Sequence, residues 1–354
     1  MLRRAALVAG LLTTALVGHA AAQACPLATP ADYVAHPSTL RTIQPESLFV
    51  AGDVSACPGG TNTQPCGGHR VYVPDPNSPY RRDDQIFVFL PGSSSEPNKY
   101  DDVLSMAAYA GYRTIGLSYD NSNNIESTCG NVCPCFGLAR REVIHGTPLT
   151  PLVTVQPADA IVHRLYRLAK HLHATFPTEG WDQIVNRDDH DGVPEFSDID
   201  WDLVVLSGHS QGAGHALLMS KLDAMDGLVV FDGGNDACST GGRTYAQWHD
   251  LPNIPHPKRA FSHDRGGVFA LPASFIAMAF GLAAGDFEVL DLIWPPSELV
   301  ATTNQVPPVG CTEHGSMAYD GCMPDGLATG AAAATPADAY LFPNYVEWMC
   351  EVGN

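Results

Sequence analysis

The stretch Gly208-His209-Ser210-Gln211-Gly212 follows the apolar run Leu203-Val204-Val205-Leu206 and leads into Ala213-Gly214-His215-Ala216-Leu217-Leu218. A serine held where a buried strand turns directly into a helix, with glycine two positions to either side, is suited to nucleophilic catalysis. The glycines let the strained turn close, which leaves the Ser210 hydroxyl standing clear at the edge of a sheet. The Gln211 backbone N–H and the helix N-terminus behind it then face any negative charge that develops during attack. Five-residue glycine–serine patterns arise by chance, so the strand before and the helix after give this one its meaning.

Elements able to position such a serine alternate along the chain. Arg70 to Val73, Gln85 to Leu90, Tyr112 to Ser118, Gly227 to Phe231, Lys258 to Ser262 and Glu298 to Thr303 read as strands. Tyr100 to Ala110, Pro157 to Phe176, Val268 to Ala283 and a terminal segment around Tyr345 to Cys350 read as helices. In the Pro157 helix, Ile161, Leu165, Leu168 and Leu172 recur on one face behind an opening proline. This alternation predicts an α/β fold, a mostly parallel sheet with helices on both faces. Together with Leu90-Pro91-Gly92 after a strand, Gly-Tyr-x-x-Ile-Gly-Leu-Ser-Tyr at 111–119 and the Ser210 elbow, the chain resembles the α/β-hydrolase superfamily, in particular secreted bacterial serine esterases and lipases.

That resemblance implies an acid and then a histidine after Ser210, each on a loop beyond a later strand. His314, in Cys311-Thr312-Glu313-His314-Gly315, is the histidine that follows the last predicted strand and is the expected general base. The preferred acid is Asp264, which ends the strand in Ala260-Phe261-Ser262-His263-Asp264. Asp232 and Asp236, after Val229-Val230-Phe231, are the alternatives, since some lipase branches place the acid there. The second oxyanion donor beside Gln211 is expected from the N–H of Ser93, where Gly92 allows close approach and Pro91 replaces the more usual histidine. His209 reads as pointing away along the elbow, and His215 as a packed core histidine. The resemblance implies cleavage of carboxylic esters through an acyl-enzyme, without cofactor or metal. The same triad also serves peptidases, thioesterases, acyltransferases and polyester depolymerases, and a binding protein can retain the fold without the chemistry.

The chain begins with Met1-Leu2-Arg3-Arg4, an apolar run from Ala5 to Gly18 and small residues Ala20-Ala21-Ala22-Gln23-Ala24, the features of a cleaved secretory signal. The run is too short to anchor in a bilayer, and Ala22 stands where a lipoprotein signal ending at Cys25 requires leucine. Removal of residues 1–24 would leave one catalytic domain, 25–354, secreted or periplasmic. All ten cysteines lie beyond that point, which predicts up to five disulfides. The Cys129, Cys133, Cys135 spacing is not that of a zinc site, and a Cys311 to Cys322 bridge would stiffen the loop carrying His314.

The net charge of −19 argues against nucleic acid and anionic membranes as partners and leaves a small or polymeric ester as the expected one. Oligomeric state is not encoded in any of these patterns. Arg187 to Asp198 approaches a calcium-loop spacing, but Arg187 stands where the first ligand must be acidic, so a solvated acidic loop is expected. The apolar segment 271–284 reads as a helix packed on the sheet, with a lipid-facing lid as the other possibility.

Overall fold

The computed structural model describes residues 25–26, 28–57, 65–188, 191–263, 272–282, 288–289, 300–303, 305–327 and 330–353. The expected export segment 1–24 and Asp264 lie outside them.

The strands are β1 (Thr39–Ile43), β2 (His69–Val73), β3 (Ile86–Leu90), β4 (Arg113–Gly116), β5 (Val204–His209), β6 (Gly227–Phe231), β7 (Lys258–His263), β8 (Glu288–Val289) and β9 (Val300–Thr303). They form one sheet in the order β1-β2-β4-β3-β5-β6-β7-β9-β8. The β1–β2 and β2–β4 pairs are antiparallel and every other pair is parallel. The α/β fold inferred from the alternating elements is therefore present, with the antiparallel pairs at the β1 edge and the parallel part running from β4 to the β8 edge.

The helices are α1 (Pro30–Ala35), α2 (Asp101–Tyr109), α3 (Ile125–Cys129), α4 (Cys133–His145), α5 (Ile161–Thr175), α6 (Gln211–Met219), α7 (Pro272–Ala279) and α8 (Phe342–Val352). The central strands look uniformly apolar in sequence because both of their faces are covered. Ile86, Val88 and Leu90 of β3, with Val204 and Leu206 of β5 and Leu228 and Val230 of β6, face a core shared with α4, α5, α6 and α7. Phe87, Phe89, Val205, Val229 and Phe231 alternate to the opposite core beneath α2 and α8. Each such side chain withdrawn from water contributes about 1.5–3 kcal/mol. Because β3, β5 and β6 run parallel, with Leu90 opposite Gly208 and His209 opposite Phe231, the turns that follow all three emerge at one edge.

Several elements depart from the sequence reading. Helix α4 was not anticipated, since its first turn is the cysteine-rich Cys133-Pro134-Cys135. Proline suits that first turn, and Gly146 closes the helix with φ 71°. Strands β1 and β8 were also missed. Helix α5 begins four residues later than expected, because Pro157–Asp159 form a separate 3₁₀ turn and Ala160 is extended, with ψ 153°. Ile276, Ala277 and Phe280 of the α7 region are buried in the core. In the acidic loop, Arg187 pairs with Asp200 and Asp202, and Asp198 closes a capping box with Glu195; Asp189 lies outside the described residues.

All ten cysteines are paired, as Cys25–Cys350, Cys57–Cys66, Cys129–Cys135, Cys133–Cys238 and Cys311–Cys322. The first ties the start of the described chain to α8. No helix among the described residues is long and apolar enough to cross a membrane.

Buried neutral histidines set an acid limit on stability. Burial pushes His69, His209 and His215 well below the usual histidine range, and His249 and His256 to about 4. Below pH ~6.5 the unfolded chain protonates these five while the fold does not, so their contribution is lost as pH falls from there toward 4. Asp102 and Asp226, raised to about 6 by burial, and Asp320, raised to about 7, act in the opposite direction but are fewer. Urea titrations are expected to give a stability at pH 5 lower than at pH 7 by on the order of 2 kcal/mol. A midpoint that rises on acidification would contradict the neutral assignment.

Candidate active site

Ser210 follows β5 and has φ 57° and ψ −122°, a backbone region that costs a non-glycine residue about 1–3 kcal/mol. Its N–H bonds the Phe231 carbonyl (3.1 Å) and its own carbonyl accepts from Gly214 N–H (3.3 Å), so the turn is pinned to β6 on one side and α6 on the other. Absence of side chains lets it close: a Cβ on Gly212 would lie 1.9 Å from Leu90 O, and one on Gly233 would lie 2.1 Å from Ser210 O. The first of these was legible in the Gly-x-Ser-x-Gly spacing. The second belongs to the neighbouring strand's turn and left no local signal.

Among the described residues, non-glycine residues with positive φ are Ala28, Ser94, Ser210 and Asp232. Three of the four lie on the adjacent turns after β3, β5 and β6, the concentration of strain expected where side chains must be aimed.

Asp232 is the carboxylate that meets His314. Its Oδ2 lies 2.5 Å from His314 Nδ1, and its side chain is fully buried. Its Oδ1 accepts from Ser262 Oγ (2.5 Å) and from His263 N–H (3.4 Å), so the carboxylate is fixed from β7 as well as from its own turn. The His314 ring turns toward the end of β6, to one of the two alternative acids, and the preferred acid Asp264 lies outside the described residues. Asp236 is otherwise engaged, since Arg140 bonds both of its oxygens (2.7 and 2.5 Å) and Trp248 Nε1 donates to it (2.6 Å). Burial alone would raise the Asp236 carboxyl, but the Arg140 guanidinium outweighs it and holds the group below its ordinary value.

His314 sits in the loop closed by Cys311–Cys322, with its side chain partly exposed. It lines one narrow polar cleft of about 30 Å³ together with Ser210, Gln211 and Ser93. Asn124, Ile125, Glu126 and Asn235 line it too, with the Arg140–Asp236 pair. A cavity of about 740 Å³ near His145 and His163 is elsewhere and shares no residue with this cleft.

In the loop after β3, Gly92 N–H is taken by Tyr100 Oη (3.0 Å), Ser94 N–H by Asn121 O (2.9 Å) and Ser95 N–H by Gly92 O (3.1 Å). That leaves the N–H of Ser93, the donor expected from sequence, without an acceptor among the described residues. Asn121 Nδ2 clamps the loop by donating to Gly92 O (2.6 Å) and Ser95 O (2.9 Å). The Ser93 hydroxyl donates to Gln211 Oε1 (2.7 Å), which also accepts Ile125 N–H (3.2 Å), and the backbone donor fixes which way the Gln211 amide faces. The loop and the nucleophile turn are thereby bonded to each other. A Cβ on Gly92 would come within 2.9 Å of Ser210 Cβ.

His215 is buried edge-on against Tyr119, and neither ring nitrogen has a hydrogen-bond partner among the described residues. His209 is buried beside His314 rather than directed away from it. Tyr100, Asn121 and Arg140 also support the site, and none stood out in sequence, because each arrives from a distant part of the chain. Among the described residues no group of three or more metal-ligating side chains occurs.

No family model matches the chain, and no curated protein matches it. A solved structure from Lactobacillus plantarum WCFS1, described as a candidate carboxylesterase, is similar at 11% identity with a TM-score of 0.38 over 90% of this chain and 98% of that one. A likeness of that strength carries no argument about activity.

Proposed function

We propose that this chain is an exported serine hydrolase that cleaves carboxylic esters, with Ser210 as nucleophile, His314 as general base and Asp232 as the acid that orients it. The observation carrying the reading is that a serine on a strained strand-to-helix turn lines the same cleft as a histidine whose far nitrogen is held by a buried carboxylate. Asp232 fixes the tautomer in which Nδ1 carries the hydrogen, so Nε2 bears the lone pair that takes the Ser210 proton during attack on a carbonyl. The imidazolium that forms is stabilised by Asp232, and the oxyanion would be received by the N–H groups of Ser93 and Gln211. His314 then returns the proton to the leaving alcohol, and water attacks the acyl-enzyme by the same route in reverse.

The five disulfides and the signal-like N-terminus support secretion or a periplasmic location, with residues 25–354 as one catalytic domain. The test is intact mass of the oxidised protein before and after a fluorophosphonate probe, with hydrolysis of p-nitrophenyl esters from acetate to palmitate. One adduct mapping to Ser210 is expected, and Ser210→Ala should lose the adduct and on the order of 10⁴-fold or more in kcat. A folded protein that takes no probe and turns over no ester would leave a binding role on the same fold as the better reading.

A further inference from the structure

His209 is the last residue of β5, next to the nucleophile, is fully buried, and has no task in the mechanism above. Its Nε2 is 3.0 Å from the main-chain oxygen of His314, and its Nδ1 is 3.2 Å from Tyr100 Oη. Tyr100 Oη in turn receives Gly92 N–H at 3.0 Å. The directions of these bonds follow from chemistry. A carbonyl oxygen can only accept, so Nε2 carries the hydrogen. Burial, with His314 close by, pushes His209 well below the usual histidine range, so the ring is neutral and Nδ1 is a bare acceptor. Burial likewise pushes the Tyr100 hydroxyl well above its ordinary value, so it keeps its hydrogen and donates it to Nδ1. One chain of bonds therefore runs from Gly92 N–H through Tyr100 and His209 to the backbone of His314.

Both ends of that chain are places where small displacements matter. Gly92 precedes Ser93, whose N–H is the loop's unspent donor, and it lies so near Ser210 that a Cβ on it would meet Ser210 Cβ at 2.9 Å. At the other end, Asp232 holds the His314 ring, while His209 bonds the His314 main-chain oxygen, the two imidazole centroids lying 4.4 Å apart. We propose that His209 is a positioning residue that locks the oxyanion loop and the base loop to one another through Tyr100 and the His314 carbonyl. This rests on the assignment of Ser210, His314 and Asp232 as the catalytic groups.

The experiment compares Tyr100→Phe, His209→Gln and His209→Asn with the wild type, alongside ¹⁵N NMR of the histidine rings in the oxidised protein at pH 7. Glutamine reaches about as far as Nε2 and asparagine about as far as Nδ1, so the first can keep the His314 contact and the second the Tyr100 contact. Tyr100→Phe and His209→Gln should lose roughly 10-fold in kcat, with KM within about twofold and the base's kinetic pKa unmoved. His209→Asn should lose about 100-fold and shift that kinetic pKa, because the main chain of the base is released. Wild-type His209 should show the Nε2–H tautomer.

Equal kcat for Tyr100→Phe and wild type, or an Nδ1–H tautomer, overturns the proposal. So does loss of thermal stability in all three variants with no difference in their kinetics. If the His209 variants do not fold, the tautomer and Tyr100→Phe decide it. Failure of the hydrolase reading is distinguishable, since wild-type protein would then take no fluorophosphonate while the ring tautomer still reports whether the chain of bonds exists.

Discussion

Asp232→Asn is expected to lower kcat by about 10³- to 10⁴-fold with little change in KM, while Asp264→Asn stays within about threefold of wild type. The asymmetry follows from the single contact at His314 Nδ1. A carboxylate there accepts Nδ1–H and leaves Nε2 unprotonated and facing the cleft. An asparagine offers an NH₂ at one of the two positions. If that group faces the ring, Nδ1 must accept, the proton moves to Nε2, and the base is blocked before reaction begins. If the carbonyl faces the ring, the tautomer survives but the imidazolium loses its counter-charge. Nor does the second orientation come freely, since Ser262 Oγ–H and His263 N–H both donate to the other oxygen and oppose an NH₂ there. Steady-state kinetics on both variants, with fluorophosphonate labelling rates, separates the two assignments. Full activity in Asp232→Asn with collapse in Asp264→Asn would restore the assignment read from sequence.

Arg140→Ala is expected to destabilise the protein by about 3–5 kcal/mol and to lower Tm by roughly 5–15 °C. Arg140 and Asp236 are both nearly inaccessible, and the guanidinium makes three bonds: two to Asp236 and one to Gln211 O (3.0 Å). Room for it exists because position 214 is glycine, where a Cβ would lie 2.3 Å from Arg140 Cζ. Deleting the cation leaves the Asp236 carboxylate buried with Trp248 Nε1–H as its remaining side-chain donor. The cost is that of an uncompensated charge, larger than the net worth of the pair.

The pH dependence of that cost identifies its origin. Without Arg140 the Asp236 carboxyl rises above its unfolded value, so protonation favours the fold, and the deficit relative to wild type should shrink as pH falls toward 5. Thermal unfolding at pH 8 and pH 5 measures this, and a deficit independent of pH would point to lost packing instead. Because Arg140 also holds the Gln211 carbonyl in the first turn of α6, whatever activity remains should fall with it.

The strained turn at Ser210, the α/β class and the alternation of the central strands were determined by sequence alone, since each is set by neighbours in the chain. A strained turn needs glycines two residues away, and a strand buried on both faces needs an unbroken apolar run. That Ser93, after β3, and His314, after the final strand, share a cleft with Ser210 was legible from their places along the chain. An even number of cysteines behind a signal-like segment announced disulfides, but which sulfur meets which depends on distant approach.

Which described carboxylate meets His314 was decided by tertiary structure. Asp232, Asp236 and Asp264 all follow predicted strands and are equivalent as sequence. Arg140, arriving from a helix that cysteine and proline concealed, neutralises Asp236, while Ser262 and His263 on the next strand aim Asp232 at His314. His209 shows the same limit. Its position next to Ser210 is local, but its work depends on Tyr100 and on the His314 carbonyl, 109 and 105 residues away. Such roles are set by which side chains the sheet brings to one edge, and spacing along the chain carries no record of that.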